Sequence, residues 1–178
     1  MRRLLPFFAL LPAALAGCRY DPVPQHIIDS LGPEKGTPSA THRPGQPCLV
    51  CHSAYVGASP AFAVAGTLFM KNMDGSLGPA AQVAVTVFDS AGKLRKACSN
   101  AAGNFFVKAD DWADVTFPIA AQAGERSMTS LIGRDGSCAS CHKSPDAASL
   151  DPTTGAAHNS PGVILVDPMA PGAACGGG

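Results

Sequence analysis

Two stretches of this chain repeat one pattern: Cys48-Leu49-Val50-Cys51-His52 and Cys138-Ala139-Ser140-Cys141-His142. In a helical turn, residues three and four apart share a face, so the two thiols and the imidazole of each stretch can address one object. Thiols at this spacing can close thioethers on the two vinyl groups of a porphyrin, and the next residue brings a nitrogen beneath the iron. C-x-x-C-H is the attachment signature of c-type haem. Paired C-x-x-C knuckles also build four-thiolate zinc sites, which is the competing chemistry. The histidine trailing both pairs, and signs of export at the start of the chain, favour haem. The pattern therefore predicts two covalently bound haem c groups, held through Cys48, Cys51, Cys138 and Cys141, with His52 and His142 as proximal iron ligands.

The elements that must position these groups are short. Glycine and proline together make up 35 of 178 residues, more than average usage, which disfavours long helices and suits turns and short strands. Length allows one domain plus appendages. Without Arg2 and Arg3, the chain carries 11 basic against 13 acidic residues, and no basic patch or helix points to nucleic acid.

Residues 1–17 read as a signal peptide: Arg2 and Arg3, then an apolar run from Leu4 to Leu15 too short to span a bilayer. The run ends Leu15-Ala16-Gly17-Cys18, which resembles a bacterial lipobox. That resemblance implies lipid on Cys18 and anchoring to a membrane of the cell envelope, most simply the outer membrane. An ordinary cleavable signal with a chance cysteine is the alternative. Residues 18–41, rich in proline and glycine, read as a tether, with His26-Ile27-Ile28 its one apolar patch. Residues 42–60 form the first haem-binding segment, 61–135 a β-sandwich domain, and 136–178 the second haem-binding segment with a Gly-rich tail.

In the sandwich region, Phe62 to Met70 is strand-like, and Gly75 to Pro79 reads as a turn cluster. Gln82 to Phe88 alternates, with Val83, Val85 and Val87 on one face. Asp89 to Gly92 reads as a hairpin loop, and Lys93 to Ser99 as the return strand. Asn104 to Lys108, Val115 to Gln122 and Arg126 to Ile132 complete six or seven strands. The fold class expected is mainly β, a small Ig-like or prealbumin-like sandwich flanked by loop-rich segments. Trp112 is expected as a core anchor, and Asp110, Asp111 and Asp114 as a solvated acidic loop. Once Cys18 and the four motif thiols are assigned, Cys98 and Cys175 remain. Outside the cytoplasm such a pair is a disulfide by default, although two thiols are the alternative.

Ala65-Gly66-Thr67, Val83 to Asp89, Gly92-Lys93 and Asn100 to Phe105 resemble carboxypeptidase regulatory-like, or prealbumin-like, sandwich domains, which are usually non-catalytic scaffolds. More widely, His42 to His52, Phe62 to Thr67, Met128, Gly136 to His142 and Ser160 to Ile164 together resemble a family of exported bacterial dihaem c-type cytochromes with a sandwich between two C-x-x-C-H sites. That resemblance implies electron transfer with unidentified redox partners of the envelope.

Each haem needs a distal ligand unless its iron is open to substrate. His42, ten residues before His52, is the first choice, with a surface loop histidine as its bland reading. Met128 is second, favoured by the resemblance, and a plain core methionine otherwise. His158 and His26 follow. A His/Met pair would raise the potential above that of a His/His pair. The functions to weigh are a membrane-anchored electron relay, a haem enzyme such as a peroxidase or small-molecule reductase with an open iron, and a zinc or thiol protein with an adhesive sandwich. No acid–base constellation beside either motif favours the enzyme.

Overall fold

Val83, Val85 and Val87 are wholly buried, while Ala84, Thr86 and Phe88 turn outward. That is the period-2 pattern of a strand with one face in a core. The computed structural model describes residues 22–34, 37–54, 56–142, 161–170 and 172–176. Two four-stranded sheets pack around one core, giving a mainly β sandwich. The first contains β1 (Phe62–Lys71), β2 (Leu77–Pro79), β5 (Asn104–Lys108) and β8 (Ile164–Leu165). The second runs β4 (Leu94–Cys98), β3 (Ala84–Phe88), β6 (Ala120–Ala123), β7 (Arg126–Ser127). Val64, Leu68, Phe105 and Val107 from the first sheet meet Val85, Val87 and Ala123 from the second, with Trp112 and Ile119 closing the core. Trp112 sits on a 3-10 turn, Asp110–Trp112, with the Arg95 guanidinium 5.5 Å above its ring. Asp110, Asp111 and Asp114 are exposed, and Asp114 pairs with Lys93.

β1 does not alternate: Val64 through Leu68 are all buried. A strand buried on both faces must be covered on both. Its edges are occupied too. Leu68 bonds along one edge to Gly103 and Ala80, bringing β5 and then β2 to that side. Residues of the other parity serve the opposite edge. There the Ala65 N–H donates to the Gly136 carbonyl at 3.0 Å, and the Phe69 carbonyl accepts from Val166 at 2.9 Å. Parallel pairing with β8 follows on that side. β2 lies where the sequence suggested only a turn: Ser76, Asp74 and Asn72 bond among themselves to close the loop, so the residues after it can pair back onto β1.

The segment read as a tether contains α1 (Pro22–Ser30). Pro22 and Pro24 fall in its first turn, where backbone N–H groups have no helical partner to lose. A Gln25-to-Asp29 hydrogen bond of 2.7 Å supports it one turn on. The chain then folds back. Arg43 donates to Glu34 at 2.6 Å, to the Gly32 carbonyl at 2.8 Å and to Gln46 at 2.9 Å. This clips residues 31–34 onto the segment leading to the first motif. Residues 1–17, Cys18 and His158 lie outside the described residues. No helix among the described residues is long and apolar enough to cross a membrane.

Cys98 on β4 and Cys175 near the chain end form a disulfide, with Cα atoms 5.9 Å apart and a sequence separation of 77. It reinforces the Val83–Ala174 bridge and the bond from Cys175 N–H to the Gln82 carbonyl. Closing a loop of that length restrains the unfolded chain by up to about 4 kcal/mol. Denaturant unfolding of Cys98→Ser should show a loss of roughly 2–4 kcal/mol, and added reductant should bring the parent protein to the same midpoint. Superimposable curves for variant and parent would show that the crosslink contributes nothing.

Candidate functional site

The first motif is one helical turn, α2 (Cys48–Cys51), opened by Pro47. The His52 N–H donates back to the Cys48 carbonyl at 2.9 Å, which fixes the imidazole on the same face as the thiols. The Phe62 N–H then donates to the His52 carbonyl at 2.8 Å, so the motif is tied to the first residue of β1. The second motif is a 3-10 turn, Cys138–Ser140, with the same closure: His142 N–H to Cys138 carbonyl, again 2.9 Å.

The two histidines share a further feature. His52 Nδ1 lies 2.7 Å from the Pro60 carbonyl, and His142 Nδ1 lies 3.0 Å from the Gly162 carbonyl. A carbonyl oxygen only accepts, so each Nδ1 carries the proton and each Nε2 carries the lone pair. This is the arrangement by which protein scaffolds orient metal-ligating imidazoles.

Both motifs meet at the N-terminal half of β1. The second arrives along its edge through the Ala65–Ser137 bridge. Two glycines make the approach possible. A Cβ on Gly136 would stand 2.0 Å from the Ala63 carbonyl oxygen, and one on Gly66 would stand 2.7 Å from Cys138 Cβ. Cys138 is thereby drawn into the core, while Cys141 is exposed. Burial pushes the Cys138 thiol up to about 12, with the nearby Cys48 thiol adding to the effect. Burial also raises Cys48, and its neighbour Cys51 adds to that. His52 is tied to Phe62, and Ser137 and Cys138 lie against Ala65 and Gly66, so the two motifs meet the same half of β1, not opposite poles of the sandwich.

In front of the first motif lies a cleft of about 460 Å³ lined by His42, Cys48, Cys51, His52, Phe62 and Phe106, among others. That volume is typical of small-molecule and cofactor sites, as is the largely apolar wall. Rings are layered along it. His42 and His52 have centroids 5.8 Å apart, His52 and Phe62 4.5 Å, Phe62 and Phe106 4.6 Å, all stacked. His42 reaches the cleft because residues 39–46 are moored to the sheet. The Gly45 N–H donates to Thr67 Oγ1, which donates to Asn104 Oδ1, each at 2.8 Å. Asn104 Nδ2 donates to the His42 carbonyl at 2.9 Å, and Asn100 Nδ2 to the Ala40 carbonyl at 2.6 Å.

The structure therefore gathers His42, Cys48, Cys51 and His52 around one cleft, while the second motif meets β1 through Ser137 and Cys138. Met128 follows β7, in the sheet that does not carry the motifs, and is not part of the cleft wall. Met73 and Met169 are exposed, Met70 packs on the core, and His26 is exposed. Thr67, Asn104, Phe62 and Phe106 were not singled out as site residues from sequence. Thr67 and Asn104 were visible only as parts of a sandwich pattern, and nothing local marks a hydrogen bond across 37 residues.

A thiol pair and an imidazole Nε2 on one face, facing an apolar cleft, fit covalent attachment of haem at the first motif. The second motif has the same donor set and closure. Among the described residues, no group of three or more His, Cys, Asp or Glu side chains converges to hold a metal ion. The four thiols are therefore not arranged as a single four-thiolate cage.

Cys138 gives a pH signature to the polypeptide without thioethers. An ordinary thiol ionises near 9.0, and the folded one near 12. The folded state therefore holds a proton that the unfolded state has lost. The associated stability is complete below about pH 9 and drains away as pH rises toward 12, with a ceiling of about 4 kcal/mol. Denaturant midpoints at about pH 8 and about pH 10.5 should differ by more in the parent polypeptide than in Cys138→Ala. Equal slopes would remove Cys138 as the source.

Set against known proteins, the chain matches no family model, no curated protein and no solved structure.

Proposed function

We propose that this protein is a dihaem c-type cytochrome that relays electrons in the cell envelope, anchored to a membrane through lipid on Cys18. The observation that carries this reading is the repeated geometry of the two motifs. In each, the histidine N–H closes on the first cysteine carbonyl, and Nδ1 is held by a backbone carbonyl. Two unrelated surface turns have no reason to share both features. Two sites for the same kind of ligand do.

Cys48 and Cys51 would hold one haem and Cys138 and Cys141 the other, with His52 and His142 on the irons. When bound, haem supplies one-electron chemistry. The chain's own contribution is positional. Pro60 and Gly162 fix the imidazole tautomers and ring orientations. The apolar wall of Phe62 and Phe106 limits water at the first site, which tunes potential. Both motifs are tied to the first half of β1, and that proximity supports direct transfer between the two centres. Covalent attachment also suits a small core, because the cofactor is retained without deep burial. The layout supports a relay over a zinc-binding adhesive domain, since the four thiols do not converge.

A pyridine haemochrome spectrum and intact mass of the protein made in a host with c-type haem attachment should show two haems per chain. Cys48→Ala with Cys51→Ala should leave one, and Cys138→Ala with Cys141→Ala the other. Stoichiometric zinc with no haem would replace this reading with a zinc protein. Separately, Cys18→Ala should move the protein from the membrane to the soluble fraction, and unchanged membrane retention would rule out the lipid anchor.

A further inference from the structure

The four motif cysteines are not equally placed. Cys138 is buried, Cys141 is exposed, and Cys48 and Cys51 are half-buried. Cys138 is enclosed by the docking of its own backbone on β1. The Ala65 N–H donates to the Gly136 carbonyl at 3.0 Å, and Ser137 forms a parallel bridge with Ala65. The approach leaves no clearance. A Cβ at Gly136 would stand 2.0 Å from the Ala63 carbonyl oxygen. One at Gly66 would stand 2.7 Å from Cys138 Cβ, 2.9 Å from Phe105 Cζ and 3.0 Å from Cys138 Sγ. The sulfur therefore lies against Gly66 with the Phe105 ring beside it. The turn is held on both sides of the cysteine. Asp135 accepts from the Ser137 N–H at 2.8 Å and from the Ser140 hydroxyl at 3.1 Å. Beyond it, His142 Nδ1 faces the Gly162 carbonyl at 3.0 Å, and Ile164–Leu165 pair with β1. The first motif differs: Cys48 and Cys51 both line the cleft.

We propose that the two haems are attached in a fixed order: the second motif is filled before residues 136–138 dock on β1, and the first can be filled after the sandwich has closed. The proposal rests on the haem reading above and adds to it the order of assembly. A thioether forms when the thiol adds across a vinyl double bond. Sulfur bonds to the carbon nearer the porphyrin, the thiol proton goes to the outer carbon, and there is no net oxidation. The sulfur must therefore come within bonding distance of a group on the rim of a large planar molecule. The docked Cys138 cannot, because Gly66, Phe105 and the core occupy its approach. Freeing it means breaking the Ala65–Gly136 hydrogen bond and the Ser137 bridge, and removing a side chain from the core. The closed fold does this only in transient openings. Cys48 and Cys51 need no such opening, since the cleft already leads to them. Docking of the second motif is thus both the last step of its assembly and the lock on it.

The test uses the full chain made in a host without c-type haem attachment, with its motif thiols reduced. Iodoacetamide labelling, mapped by peptide mass, should modify Cys141 and Cys51 readily in the folded chain. Cys138 should react about a hundredfold or more slowly, because a buried thiol reacts only through openings of the structure. Denaturant should bring the rates together. Ferrous haem added to the folded chain should form thioethers at Cys48 and Cys51 alone. Haem present while the chain refolds from denaturant should reach both motifs. Gly136→Ala, whose Cβ would strike the Ala63 carbonyl, should let the second motif label and load in the folded chain. Cys138 labelled as fast as Cys141, or a second motif filled as readily as the first in the folded chain, would overturn the order. A haem-free chain without a cooperative unfolding transition would overturn it too, since no closed fold would stand in the way of the second haem. Haem on neither motif, even on refolding, would instead bring down the haem reading itself, whatever the labelling shows.

Discussion

A single buried hydrogen bond, from Thr67 Oγ1 to Asn104 Oδ1 at 2.8 Å, couples the scaffold to the site. It crosses from β1 to β5, and both partners are otherwise satisfied. Thr67 accepts from Gly45, and Asn104 donates to the His42 and Ala40 carbonyls. Removing either side chain would leave buried polar atoms unpaired, at a cost of about 1–3 kcal/mol each. The loss would fall on the loop that carries His42, because Gly45 and the Ala40 and His42 carbonyls hang from this pair. A polar pair inside a sandwich thus decides where an imidazole on a Pro/Gly-rich loop will stand.

β1 is the second constraint. Most strands of a small sandwich bury one face, and β1 buries both. One edge is spent on β5 and β2, the other on the approach to the second motif and on β8. The arrangement draws residues 52 and 138, far apart in the chain, to the same end of one strand. Gly66 and Gly136 supply the clearance, since any side chain there would strike Cys138 or the Ala63 carbonyl. Cys138 then does two jobs. It fills the core beneath Gly66, and it belongs to a motif whose other thiol, Cys141, faces out. On the proposed reading, one thioether is rooted in the core and the other lies at the surface, so the fold and the cofactor would share a wall.

The disulfide answers a different need. The core is modest, with Trp112, Phe105 and a set of valines as its larger members, and a small core leaves little margin over conformational entropy. Crosslinking across 77 residues restrains the unfolded chain without adding core volume. It also brings the last described residues against β4, which keeps the Ala173–Ala174 stretch packed beside Val83.

Much of the sandwich was legible in the sequence because its signals are local. The alternation of Val83, Val85 and Val87, the turn at Asp89–Gly92, and the two C-x-x-C-H stretches each depend on residues within one or two turns of backbone. The β2 and β8 pairings, the α1 helix in the Pro-rich segment, the Thr67–Asn104 bond and the meeting of the motifs on β1 were not legible. The β8 pairing, the Thr67–Asn104 bond and the meeting of the motifs depend on partners tens of residues away, which local spacing does not encode, whereas α1 and β2 are local but sit where proline and glycine mask their pattern. The chemistry of His42 shows the division most sharply. Its proximity to the first motif in sequence suggested an iron ligand, but which of its nitrogens holds the proton depends on the Ser39 N–H. That contact lies within a turn that Asn100 and Asn104 hold against the sheet through the Ala40 and His42 carbonyls. Sequence alone determined which groups can do chemistry, because residue type and short spacing are covalent facts. Tertiary structure decided which nitrogen each group presents and to what, because hydrogen-bond direction is a property of the folded neighbourhood.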